Sequence, residues 1–194
     1  MSLNKSEFDG WLPNAERHPS LHYDQREVNR AFRFEEIDLL VIHNISLPPA
    51  TCEADFANNN VEAFFCGDLN LELHPIFAEL DGVRVSSHLY IRRDGTLVQF
   101  VSLFDRAWHA GVSCFQGREK CNDFSIGIEL QGTDTLPYTQ MQYQSLVSVT
   151  KQIQSYFPNI DVDNIVGHQD IAPGRKTDPG PSFDWKFYKQ QLSF

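Results

Sequence analysis

The sequence predicts a single α/β domain organised around a central mixed β-sheet with helices on its flanks. Three observations lead there. A short β-rich apolar run at residues 37–42 suits a strand covered on both faces. Two further β-rich segments flank Arg92-Arg93-Asp94-Gly95, a hairpin signal that calls for an antiparallel pair. Strand-like and helix-like segments are interspersed along the chain, which favours one mixed layer over segregated α and β regions. With 194 residues and no internal repeat, the chain suits one domain over 1–194, with its motif-bearing core at about 35–185. Such a length buries roughly 70% of the surface the unfolded chain exposes, a core that needs no metal or disulfide staple.

Taken in order, residues 1–34 are polar and irregular. The strand at 37–42 runs straight into His43. A long connection over 44–82 opens with Pro48-Pro49 and holds one short helix around Asp55 to Phe65. Long ordered connections in compact domains usually wall a site. Ser87 to Ile91 and Thr96 to Val101 form the hairpin, and 102–123 returns to loop. Ser125 to Leu130 is a further strand, with Gly127 inside it marking a close backbone approach. The clearest helix is Thr139 to Phe157. Thr139 and Gln142 make a capping box, Met141, Leu146, Val149, Ile153 and Phe157 form its apolar stripe, and Pro158 stops it. Asp163 to Val166 is a short strand leading to Gly167-His168. A stiff Pro/Gly loop fills 169–181, and Ser182 caps a last helix with Phe183, Phe187 and Leu192 facing the core.

Charge narrows the function. Sixteen Lys and Arg against 26 Asp and Glu give a net of −10. No basic stripe is present, so nucleic acid is not an expected partner, and a membrane surface is equally disfavoured. The longest aliphatic run is far too short to span a bilayer, and Met1 to Ser20 has no apolar signal core. Cys52, Cys66, Cys114 and Cys121 form no CxxC pair and read as free buried thiols of a reducing, cytoplasmic compartment.

Neither HExxH, GxSxG, a Walker loop nor GxGxxG is present. What remains is a set of His and carboxylate residues at predicted strand ends. His43 stands where the chain leaves the sheet, and His168 stands likewise after its own strand. Such positions form sites in α/β folds, although a lone His there can equally cap its strand. Asp178 follows ten residues after His168, in Lys176-Thr177-Asp178-Pro179-Gly180-Pro181. Two histidines and a carboxylate are a common ligand set for catalytic zinc. Prolines stiffen that loop, and Lys176 lies on the same side of an extended stretch as Asp178. Glu129 breaks an apolar strand with a charge. It is either paired inside the fold or a base for metal-assisted hydrolysis. His88 reads as a hydrogen-bonded core histidine. His18, His22 and His74 read as structural or surface residues. His109, beside Trp108 in a loop, fits a ligand-binding wall as well as it fits a core.

Four stretches together bear a resemblance: His43-Asn44-Ile45-Ser46-Leu47-Pro48-Pro49, Arg106-Ala107-Trp108-His109-Ala110-Gly111, Ser125 to Leu130, and Gly167-His168 through Pro181. In this order they resemble the zinc amidases that cut N-acetylmuramoyl-L-alanine bonds, a fold shared with peptidoglycan-recognition proteins. The match runs from about Trp11 to Trp185. The resemblance implies Zn²⁺ on His43, His168 and Asp178, Glu129 as the base and Lys176 as the cation that stabilises the oxyanion. It also implies substrate contacts at Asn44, Arg84, Trp108, His109, Lys120 and Ala172. At Lys120 close relatives carry arginine; lysine keeps the charge and loses the two-pronged grip. The implied substrate is an anhydro-muropeptide, cut by a cytoplasmic monomer in peptidoglycan recycling, a step that also controls β-lactamase induction. Arg84, Lys120 and Lys176 would then supply local positive charge against the overall −10. The other reading is a module that recognises muropeptides without cutting them. Such relatives typically lack a zinc ligand, whereas all three are present here.

Overall fold

The computed structural model describes residues 7–26 and 33–192. Its strands are β1 (Glu16–Arg17), β2 (Tyr23–Gln25), β3 (Leu39–Ile45), β4 (Leu89–Ile91), β5 (Leu97–Gln99), β6 (Asp105–Ala107), β7 (Cys114–Phe115), β8 (Arg118–Glu119), β9 (Ser125–Gln131) and β10 (Ile165–Gly167). The α-helices are α1 (Arg33–Glu36), α2 (Asn60–Cys66), α3 (Gln140–Tyr156), α4 (His168–Ile171) and α5 (Trp185–Leu192). Six strands form the main sheet in the order β1-β5-β4-β9-β3-β10. The hairpin pair β4 and β5 is antiparallel and the other pairings are parallel, so the sheet is mixed as expected.

Side chains alternate across a strand, so each sheet face carries its own set. Leu40 and Ile42 of β3, Ile126, Ile128 and Leu130 of β9, and Leu89 and Ile91 of β4 face one side. They bury against Leu146, Val149 and Ile153 of α3 and Tyr188 of α5. The opposite face is covered by α2 and by the loops after β5. Tyr90 and Val98 meet Val61, Phe64 and Phe65 there. Leu39 and Val41 meet Ala110, Cys121, Phe124 and Ile171. On β9 this second face presents Ser125, Gly127, Glu129 and Gln131, a polar column in a wholly buried strand.

Several elements differ from expectation for identifiable reasons. β3 begins at Leu39 and continues past His43 to Ile45, because β9 pairs with it along its whole length. The helix expected around 55–65 is split into a 3-10 turn, Glu53–Phe56, and α2. Asn58 interrupts it: its amide donates to Asp55 O and its carbonyl accepts from Asn60 N–H, a local alternative to helix bonding. The stretches read as irregular contribute short pairings, β1 at the sheet edge, β2 with β6, and β7 with β8. The loop after Gly167 opens with α4. Asp184, not Ser182, caps α5 by accepting from Phe187 N–H; Phe187 is exposed while Tyr188 takes the core position. The cysteines are free, yet Cys52 and Cys114 are exposed and only Cys121 is fully buried. Among the described residues no helix is long and apolar enough to cross a membrane.

The capping box of α3 forms as expected. Met141, assigned to the apolar stripe, is instead exposed. Its neighbour Gln142 goes inside because its amide is fully engaged. Oε1 accepts from Arg93 and Thr139 N–H, and Nε2 donates to Ile91 O and Gln131 O. Leu146→Ala is therefore expected to cost about 2–5 kcal/mol of unfolding free energy. Met141→Ala should fall within about 0.5 kcal/mol of the parent in the same urea titration. Equal effects would place the stripe wrongly.

Candidate active site

The register of β3 on β9 sets the site. His43 lies directly opposite Glu129 in that parallel pairing, and both project from the loop-covered face. β10 on the other side of β3 delivers the chain into α4, whose first residue is His168. Asp178 arrives on the Pro/Gly loop. Gly180 in that loop has φ +79°, and a Cβ there would lie 2.3 Å from Asp134 Cα, so only glycine lets the loop press against residue 134. Tyr138 Oη and the Asn44 amide both donate to Pro179 O, and Asn44 also donates to Asp134 Oδ1.

The result is a tight convergence. His43 Nδ1 lies 3.0 Å from His168 Nδ1 and 3.0 Å from Asp178 Oδ2, and His168 Nδ1 lies 3.1 Å from the same oxygen. The histidines are buried and Asp178 nearly so. His168 Nε2 faces Ala110 O at 3.1 Å. A carbonyl only accepts, so Nε2 carries a hydrogen, and as a metal ligand the ring would turn a lone pair at Nδ1 toward the cluster. A lone pair and a carboxylate oxygen at 3.1 Å repel unless positive charge lies between them. Ligands at about 2.0–2.1 Å from a tetrahedral zinc stand about 3.3 Å apart, close to these separations. The donor set, its tautomer and its spacing all fit a divalent metal, and these three residues could hold one.

Charge states follow from burial. It lowers His43 to a pKa of about 4, leaving the imidazole neutral at physiological pH. It also pushes Glu129 well above the usual carboxylate range; Asp178 adds to this and Lys176 opposes it. Glu129 Oε2 is buried with no hydrogen-bond partner among the described residues. Lys176 itself is exposed, yet close enough for its charge to depress both His43 and Glu129.

The expected substrate contacts divide. Lys120 and Ala172 line one cavity of about 580 Å³ together with Val112 and Arg175. Arg84 is exposed, and Trp108 is half-buried with its indole N–H donating to Asp24. Two of these residues make close contacts within the fold. Asn44 follows His43 on the strand and so projects from the opposite face, where its amide hydrogens secure the Asp178 loop. His109 is the second. It is buried behind His43, with Nδ1 2.9 Å from His43 Nε2 and Nε2 3.1 Å from Ser125 Oγ. His88 is the core histidine expected, accepting from Gly127 N–H and facing Asp105 O. Sequence reasoning missed Asp134 and Tyr138, which stand in no motif, and Ser125, which opens one but was given no role. It also passed over Arg175, which bonds the carbonyls of Ala110 and Val112, although it adjoins Lys176.

A family model described as N-acetylmuramoyl-L-alanine amidase matches residues 33–181. The chain belongs to that family. The amidase is 54% identical over 180 residues to the 1,6-anhydro-N-acetylmuramyl-L-alanine amidase AmpD of Salmonella typhimurium, covering 93% of this chain and 91% of the relative. To AmpD of Escherichia coli K12 it is 53% identical, covering 95% of each. In three dimensions the amidase is similar to a crystal structure of a selenomethionine AmpD derivative, with a TM-score of 0.86, 52% identity and coverage of 94% of this chain and 97% of that one. It is also similar to E. coli AmiD solved with its substrate anhydro-N-acetylmuramic acid-L-Ala-D-γ-Glu-L-Lys. There the TM-score is 0.62 at 30% identity, over 86% of this chain and 61% of that one.

The parent amidase is expected to retain one equivalent of zinc through dialysis, and His43→Ala or Asp178→Ala none, measured by elemental analysis. A full equivalent in either variant would remove that residue from the ligand set.

Proposed function

We propose that this chain is a zinc-dependent amidase that cuts the bond between the lactyl group of 1,6-anhydro-N-acetylmuramic acid and L-alanine. The observation that carries this is one arrangement: two imidazole nitrogens and a carboxylate oxygen mutually 3.0–3.1 Å apart, beside a dry carboxylate with an unpaired oxygen. High identity to relatives named for that bond supports the substrate class. A module that only recognises muropeptides has no use for an unpaired buried carboxylate at such a cluster.

His43, His168 and Asp178 would hold the metal. Bound there, zinc supplies Lewis acidity, polarising a carbonyl and bringing the pKa of water to about 7. Glu129, opposite His43 in the register, is placed to accept a proton from the attacking water, its free Oε2 being the receiving atom. The same carboxyl group then returns that proton to the alanine nitrogen as the amide C–N bond breaks. Lys176 adds positive charge where the amide oxygen becomes negative. Water and amide become a lactyl carboxylic acid and the free amino terminus of the peptide. Lys120, at the cavity with Ala172, offers a cation to a carboxylate of the stem peptide. Hydrolysis in the cytoplasm would serve peptidoglycan recycling and remove the muropeptides that induce β-lactamase.

Product analysis by mass spectrometry, on anhydro-muropeptides beside ordinary muropeptides, tests the assignment. Loss of the intact stem peptide from the anhydro substrate is the expected result; no hydrolysis by the zinc-loaded protein would overturn it. Glu129→Ala should keep its zinc and its fold while turnover falls about 10²–10⁴-fold. Near-parental turnover in that variant would exclude Glu129 as the base. Lys120→Arg should lower KM about two- to fivefold for substrates with a diaminopimelate-bearing peptide, with kcat unchanged, because the gain is uniform binding. The same change in KM on a substrate whose peptide is only L-alanine would mean that residue 120 does not touch the stem.

A further inference from the structure

We infer that His109 and Ser125 are positioning residues for the metal ligand His43, acting as a buried hydrogen-bonded chain that ends on the serine hydroxyl. The inference rests on the reading of His43 as a metal ligand. A ligating histidine offers one nitrogen to the metal, and the partner of its other nitrogen decides which. For His168 that partner is plain, the carbonyl of Ala110. For His43 it is another histidine, and an imidazole can donate or accept. Nδ1 of His43 points into the cluster, so ligation requires the hydrogen on Nε2. That hydrogen must pass to His109 Nδ1, 2.9 Å away. His109 then carries its own hydrogen on Nε2 and must donate it to Ser125 Oγ at 3.1 Å. All three groups are buried, so water does not substitute for a missing partner.

The strand is built for this chain. Ser125, Gly127 and Glu129 stand at alternate positions of β9 and share one face. The His109 ring lies over the middle of the three: a Cβ on Gly127 would sit 2.6 Å from His109 Cγ and Nδ1. The bare backbone at 127 leaves a notch that seats the ring between His43 and Ser125. From the other end, Asn122 Oδ1 accepts from the backbone N–H of both His109 and Ala110. The same short segment therefore orients both histidine ligands, His43 through the His109 side chain and His168 through the Ala110 carbonyl.

The experiment is zinc affinity by chelator competition on parent, Ser125→Ala, Ser125→Thr and His109→Leu, with metal-free thermal unfolding as the check on folding. Ser125→Ala touches neither a ligand nor the cleft, yet is expected to weaken zinc about 10- to 100-fold, the range of outer partners of metal histidines. His109→Leu, which leaves His43 Nε2 without an acceptor, should lose at least as much. Ser125→Thr keeps the hydroxyl and should stay within about threefold of parent. Nitrogen-15 shifts of the zinc-loaded parent should show His43 protonated at Nε2. If Ser125→Ala or His109→Leu binds zinc within twofold of parent, or if threonine loses as much as alanine, the assignment is wrong. A parent that binds no zinc would instead overturn the metal reading itself, so the two failures are distinct.

Discussion

Everything at this site depends on the parallel register of β3 against β9. Paired over seven residues of each strand, it sets His43 opposite Glu129 and Val41 opposite Gly127. A slip of one residue would exchange the faces of an entire strand. His43 would enter the helix-packed core, and Leu40 and Ile42 would lose their packing against α3. The register is thus enforced by apolar burial on one face, and that burial fixes where Glu129 stands relative to His43 on the other. Fold stability and active-site geometry are specified by the same pairing.

The electrostatics of the site follow from that burial. Net charge is −10, yet His43 and Glu129 are governed by burial more than by distant charge. Burial keeps His43 neutral and raises Glu129. A neutral imidazole is a competent ligand, and a carboxylate that holds protons unusually well is a stronger base when ionised. A bound dication would favour ionisation of Glu129, countering the effect of burial. Lys176, exposed beside the cluster, acts on both His43 and Glu129 through its charge.

Much of this was legible in the sequence. The apolar run before His43, the Asp-Gly hairpin and the capping box at Thr139 each name their structure by local chemistry, and each formed. His43, His168 and Asp178 were visible at strand ends and in a proline-stiffened loop, and the fold brings the three together. What was not legible depended on contacts between distant segments. Asn44 was read with its motif, though strand alternation alone sends it to the face opposite His43. His109 was balanced between wall and core because only the placement of its loop over Gly127 decides. Gln142 displaced Met141 from the core through partners on three other segments, a matter of tertiary hydrogen bonding that helical periodicity does not contain. Ser125 opens one of the resembling stretches, yet nothing local marks its hydroxyl as a partner of His109.

The notch at Gly127 has a consequence for how this chain can drift. Because the missing Cβ and the imidazole of His109 occupy adjoining space, the two positions form one steric unit although 17 residues lie between them. A side chain gained at 127 is harmful while histidine stands at 109, and a smaller residue at 109 leaves a void while glycine stands at 127. Each single step passes through a worse protein, so the pair is locked by epistasis rather than by either residue's own chemistry. Attempts to graft this site onto another strand must therefore carry an absence along with the histidines and carboxylates.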